Sequence, residues 1–167
     1  MKYRILGIDP GYTGGLVVLD EEGKILEFAL MPIIEISKGK QKKKYLNMSE
    51  LSILIKRMNP TNCYVEQVSA FPGQGVCSMF NFGHTLGAIE MALASNSFPY
   101  TLVSPRKWSN VIHKGVSKDI KAKGRSLIIF KRLYPNVNFI IKPNGKKPED
   151  GLIDALLIAE YGRRELV

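Results

Sequence analysis

Apolar positions recur along this chain with two different periods. Residues 2–9, 15–20 and 24–31 are short runs rich in Ile, Leu and Val, interrupted by Pro10-Gly11 and by Glu21-Glu22-Gly23. Three such runs with short connections predict an antiparallel meander. Residues 35–46 are rich in Lys, show no apolar period and read as a mobile loop. Helical spacing then appears over 48–58, at Leu51, Leu54, Ile55 and Met58, with Asn47 as N-cap and Asn59-Pro60 as the stop. Residues 63–68 read as a buried strand and 71–75 as a loop. A long apolar helix follows over 78–95, and its Gly83 and Gly87, four apart, weaken it and predict a close packing partner. Residues 100–103 predict another strand. Ser104-Pro105 opens a short helix through Trp108. A basic amphipathic helix over 117–133 stops at Pro135, residues 143–148 form a basic turn, and 149–164 make the last helix. The order predicts a mixed sheet flanked by helices.

Composition narrows the function. The chain has 167 residues, a length that fits one domain, and 45% are hydrophobic, which argues against disorder. No apolar run is long enough to span a bilayer, and no signal-peptide pattern precedes the first strand. Cys63 and Cys77 have neither CxxC spacing nor paired His, so they read as reduced structural thiols and a cytoplasmic, reducing compartment is expected. The formal charge is +9, from 24 Lys+Arg against 15 Asp+Glu. Twelve of those cations lie between Ser104 and Lys147, with Asp119 the one acid among them. Lys38, Lys40, Lys42, Lys43 and Lys44 make a second cluster. Charge runs can be no more than solvated surface, but two clusters in one small domain favour a nucleic-acid partner.

Four acids occupy unusual places. Asp9 ends the first strand. Glu66 sits within the apolar run 63–68. Asp150 and Asp154, four apart, share one face of the last helix and repel each other there. Bland roles exist for three of them: a turn residue at Asp9, an ion pair at Glu66, a residue favouring the helix dipole at Asp150. Asp154 lies amid apolar helix positions, where the dipole explanation fails. Together the four read as a site for Mg²⁺, a hard cation that takes oxygen ligands. Two such ions can serve phosphodiester hydrolysis.

These motifs, in this order, resemble those of RuvC-like Holliday junction resolvases in the ribonuclease H-like superfamily. Gly7-Ile8-Asp9-Pro10-Gly11 is similar to the family's first-strand motif, and Val65-Glu66-Gln67-Val68 to its second. The run Asp150-Gly151-Leu152-Ile153-Asp154-Ala155-Leu156-Leu157-Ile158-Ala159 is similar to its last-helix motif. Cellular bacterial members place the last two carboxylates three apart, which here would fall on Gly151. Spacing of four is closer to the phage and chloroplast-type branch, as are residues 71–75, 79–83 and 103–108.

The resemblance implies a ribonuclease H-like fold: a five-stranded mixed sheet, three strands antiparallel and then two parallel, flanked by helices. It implies a homodimer that cuts four-way DNA junctions symmetrically, using two Mg²⁺ ions per site with Mn²⁺ as substitute and no organic cofactor. Asp9, Glu66, Asp150 and Asp154 would be metal ligands and Lys118 a catalytic cation. Phe71, or its rival Phe80, would stack at the open junction centre. Lys42, Lys43, Lys44, Lys114, Lys121, Lys123 and Arg125 would hold the DNA backbone, and helix 78–95 would form part of the dimer interface. Two other readings stand beside this one. The first is a non-catalytic branched-DNA binder on the same fold. The second is an actin- or sugar-kinase-like phosphotransferase, because residues 9–15 also resemble that first phosphate loop.

Overall fold

The computed structural model describes residues 2–38, 41–67, 69, 73–141 and 143–167. Among the described residues seven strands and five helices follow one another as β1 Ile5–Asp9, β2 Gly15–Leu19, β3 Ile25–Leu30, β4 Ile33–Lys38, β5 Gln41–Leu46, α1 Met48–Met58, β6 Asn62–Glu66, α2 Val76–Ser95, β7 Tyr100–Val103, α3 Pro105–Ile112, α4 Ala122–Leu133 and α5 Asp150–Leu166. The main sheet has the order β3-β2-β1-β6-β7. Its first three strands are antiparallel, while β6 pairs parallel with both β1 and β7. This is the mixed five-stranded sheet expected. No helix among the described residues is long and apolar enough to cross a membrane.

Alternation along the strands divides the core in two. Ile5, Val17, Leu19 and Tyr64 face a layer that contains α3, α4 and α5. Leu6, Ile8, Leu16, Val18, Cys63 and Val65 face α1 and α2. By the same period of two, Gly7 and Asp9 lie on the α5 side with Ile5, and Glu66 lies there with Tyr64. Gly7 is where α5 comes closest. A Cβ on it would lie 2.2 Å from the Ala155 carbonyl oxygen and 2.4 Å from the Ala159 nitrogen. At the other contact, Gly14 bridges to Gly151 at the start of α5, and a Cβ on Gly151 would lie 2.1 Å from the Thr13 carbonyl oxygen. Two side-chain-free contacts therefore press α5 onto β1 and β2.

Several boundaries depart from expectation. Residues 35–38 and 41–46, expected in a loop, belong to paired strands, with Ile34 opposite Tyr45, Glu35 opposite Lys44 and Ile36 opposite Lys43. Three consecutive lysines, Lys42, Lys43 and Lys44, fall on both faces of β5 and hid the strand period. Helix α4 begins at Ala122 rather than at 117, because the Ser117 hydroxyl accepts from the Asp119 N–H at 3.2 Å and donates to the Asp119 carboxylate at 3.0 Å, closing a local turn. The short helix continues beyond Trp108 to Ile112. Strand β6 stops at Glu66, so that acid stands at a strand end rather than inside one.

Candidate active site

Asp9 and Glu66 are the last residues of two adjacent parallel strands. In open α/β sheets the carboxyl ends of parallel strands are where ligand sites form. Helix α5, held close by Gly7 and Gly151, carries Asp154 to this edge one turn in from Asp150. Electrostatics ties the four together. Burial raises the Asp9 carboxyl to about 7, with further upward pushes from Glu66 and Asp154. Burial also raises Glu66, where the Trp108 indole pulls the other way and Asp154 pushes up again. Asp154 is raised by burial, lowered in part by a Ser126 hydrogen bond and raised again by Asp150. Buried carboxylates that raise one another in this way are typical of functional sites.

The cation that reaches these acids is Lys123, on the first turn of α4. Its Nζ donates to Asp150 Oδ2 at 2.9 Å, and its charge also bears on Asp154 and Asp9. Lys118, the residue expected in this place, sits in the exposed turn before α4, and no contact between it and the four acids occurs among the described residues. The five-residue shift follows from the later start of α4, which brings Lys123 rather than Lys118 onto the first helical turn. The sequence places Lys123 only among the DNA-backbone cations, since one lysine among many carries no local signal.

A cavity of about 320 Å³ opens over Asp9 and Glu66, walled by Gln67, Gln74, Pro105 and Phe82. Phe82 is the aromatic at this wall. Phe80 points elsewhere, exposed and stacked on His84 at 6.1 Å. Phe71 lies outside the described residues. Among the DNA-backbone candidates, Lys42, Lys43, Lys44, Lys114 and Lys121 are exposed, and Arg125 is half-buried. The four acids are hard oxygen donors suited to Mg²⁺. Among the described residues no three acidic, His or Cys side chains converge closely enough to close a metal shell by themselves. Two neutral residues missed from the sequence touch the acids. The Trp108 Nε1–H donates to Glu66 Oε1 at 2.8 Å, and Ser126 lines one recess with Asp154, where its hydroxyl favours the carboxylate form. Ser126 lies in no motif, and Trp108 closes the run 103–108, which carries no signal of this contact.

Residues 5–145 match the family of crossover junction endodeoxyribonuclease RuvC. The match ends before α5, so the Asp150–Asp154 pair rests on the geometry given above. No curated protein sequence matches the chain. Among solved structures, it is similar to T. thermophilus RuvC in complex with Holliday junction substrate, with 17% identity, 98% of this chain and 96% of that one covered, and TM-score 0.59. A second Thermus thermophilus RuvC structure gives 17%, 96%, 95% and 0.55. The yeast mitochondrial Holliday junction resolvase Ydc2 gives 19%, 97%, 78% and 0.53.

Proposed function

The chain belongs to the RuvC family of crossover junction endodeoxyribonucleases, hydrolases of DNA phosphodiester bonds, and from that premise we propose that its four acids bind Mg²⁺ and that it cuts four-way junctions as a homodimer. The observation that supports the metal reading is the meeting of Asp9, Glu66 and Asp154 at one sheet edge, where burial and mutual repulsion raise all three carboxyls above their ordinary range. Crowded carboxylates cost stability unless a cation replaces their protons. Divalent cations bound there would supply a water-derived nucleophile and stabilise the leaving oxygen. Asp9, at the centre of the charge couplings, would hold the cation together with Glu66, Asp150 and Asp154. Lys123 is placed to exchange its Asp150 contact for a phosphate oxygen and to offset charge that builds in the transition state. The exposed lysines of the hairpin and of residues 114–121 would hold the backbone, which supplies affinity and register without reading sequence.

The homodimer reading rests on α2. This helix is apolar on most sides, yet among its residues only Thr85, Ile89, Ala92 and Leu93 are buried. Val76, Phe80 and Met91 are 81%, 72% and 67% exposed, and a Cβ at Gly83 or Gly87 would meet nothing within 4 Å. A groove of about 470 Å³ runs between this face and Met48 of α1. An apolar face of this kind marks an interaction surface. A second copy of the same helix is its natural cover, because the two-fold symmetry of a junction requires two sites at fixed separation.

The deciding experiment is cleavage of a four-way junction beside linear duplex, with and without Mg²⁺. Asp9→Asn, Glu66→Gln, Asp150→Asn and Asp154→Asn should each lower the cleavage rate by at least about 100-fold, the order expected when an electrostatic element of a transition state is lost. Junction binding should persist in each. A variant that cuts at the wild-type rate removes its residue from the site.

A further inference from the structure

Behind the acids lies a shell of buried neutral groups. Trp108, 4% exposed on α3, gives its one polar hydrogen to Glu66. Ser126, 4% exposed on α4, lines one small recess together with Asp154, and its hydroxyl favours the charged form of that carboxyl. The Ser126 Oγ also lies 3.1 Å from Nε2 of the buried His113. A serine hydroxyl has one hydrogen. If it goes to Asp154, His113 must donate from Nε2, which leaves Nδ1 as a bare lone pair. The structure agrees, since His113 Nδ1 is buried without a partner among the described residues. His113 also packs edge-on against Trp108, ring centres 5.5 Å apart at 72°. Trp108, His113 and Ser126 thus form one connected unit that bonds Glu66 at one end and borders Asp154 at the other. Burial and the nearby Arg125 charge keep His113 neutral, as its role of donor through one nitrogen requires.

We propose that Trp108 and the His113–Ser126 pair are positioning residues that hold Glu66 and Asp154 in the rotamers a divalent cation needs. This rests on the metal reading given above. Neither group touches DNA or metal in this role. Each fixes a carboxylate that would otherwise swing away from its like-charged neighbours, and so lowers the cost of assembling the site before the cation arrives. Outer-shell hydrogen bonds of this kind commonly govern metal affinity by about 10–100-fold.

The chain contains a single tryptophan, and it is this one. Its emission therefore reports on the Glu66 contact without a label. Mg²⁺ titrated into the metal-free protein, without DNA, should shift Trp108 emission along the same saturation curve that calorimetry gives for binding. Asp9→Asn, which leaves the indole untouched, should abolish both signals. Trp108→Phe and Ser126→Ala should each weaken Mg²⁺ binding by calorimetry about 10–100-fold, and Ser126→Thr, which keeps the hydroxyl, should restore it. Metal-free junction binding should stay unchanged in all three, a result that simple loss of fold could not give. Wild-type Mg²⁺ affinity in folded Trp108→Phe and Ser126→Ala overturns the proposal, and so does calorimetric binding with silent emission; both leave the metal site standing. An absence of Mg²⁺ binding by either method in the wild type overturns the metal reading and this inference with it.

Discussion

Asp9 is squeezed from two sides. Burial removes its water and Glu66 and Asp154 add negative charge, so the carboxyl keeps its proton to about pH 7 in the folded chain, against an ordinary value of 3.8. Between about pH 4 and 7 the folded state holds this proton while the unfolded state has released it. Stability must then fall as pH rises through that window, because the state that binds more protons gains from acid. Glu66 and Asp154 are raised as well and act with the same sign. His113, lowered by burial, acts with the opposite sign below its ordinary 6.5, so the comparison has to isolate Asp9. Asp9→Asn does so, being uncharged at every pH. Without metal, thermal melts should show wild type losing stability relative to Asp9→Asn between pH 5 and 8, by on the order of a few kcal/mol. Mg²⁺ should cancel the loss in wild type alone, with protons released on binding. A difference that stays flat with pH would show Asp9 to be an ordinary exposed carboxylate.

Helix α5 and the β4–β5 hairpin show how far such residue-level physics reaches into whole elements. Gly7 is central to β1, and any side chain there meets the α5 backbone. Gly7→Ala should destabilise the protein by about 3 kcal/mol, toward the upper end for overpacking, and should lower cleavage further by lifting Asp154 away from Asp9. Circular dichroism melts and a junction assay at low temperature separate the two effects. The hairpin makes a different prediction. Glu35, Ser37, Lys42 and Lys44 share one face, and Ile34, Ile36, Lys43 and Tyr45 the other. Lys42 is already paired with Glu35 at 3.0 Å. Lys43→Ala with Lys44→Ala should therefore reduce the salt slope of DNA binding by up to about 2, and Lys42→Ala by less. Equal slopes in all variants would take the hairpin off the DNA. The same elements mark what could be read from sequence. Strands β1 and β6 and helix α5 announced themselves by apolar runs that carry an out-of-place acid, and both glycines of the α5 contact lie inside those motifs. The hairpin was hidden because its alternation is written in Ile and Lys on a two-stranded ribbon with little core beneath it. Lys123 was visible only as one cation among many, since its place depends on where α4 starts, and that is decided by a side-chain turn at Ser117. Trp108 and Ser126 reach the acids across 42 and 28 residues of chain, a distance over which periodicity carries no information.

At the scale of the molecule, geometry limits what one copy can accomplish. The four acids lie toward one sheet edge, so on the reading proposed above a single chain offers one cutting site. A junction becomes two intact duplexes only when two strands of like polarity are cut at symmetric points. A lone site would nick once and leave. The exposed apolar face of α2 is the opposite condition, a surface with more hydrophobic area than a monomer needs. Covering it with a second copy fixes two acid clusters in one rigid body and brings two positively charged surfaces to the same DNA. Sedimentation equilibrium at micromolar concentration should give a dimer of the 18.7 kDa chain. Met91→Glu should shift it toward monomer, because burying a lone carboxylate in an apolar interface costs several kcal/mol. A supercoiled plasmid with an extruded cruciform reads the consequence. The wild-type dimer should convert it directly to linear product, since both strands are cut before the complex dissociates. Met91→Glu keeps every acid in place, so it should still cut, but singly, and the nicked circle should accumulate ahead of the linear form. Linear product from a monomeric Met91→Glu would show that paired cutting does not depend on this face. Nicked circle from a wild type that sediments as a monomer would make the enzyme a nickase of branched DNA.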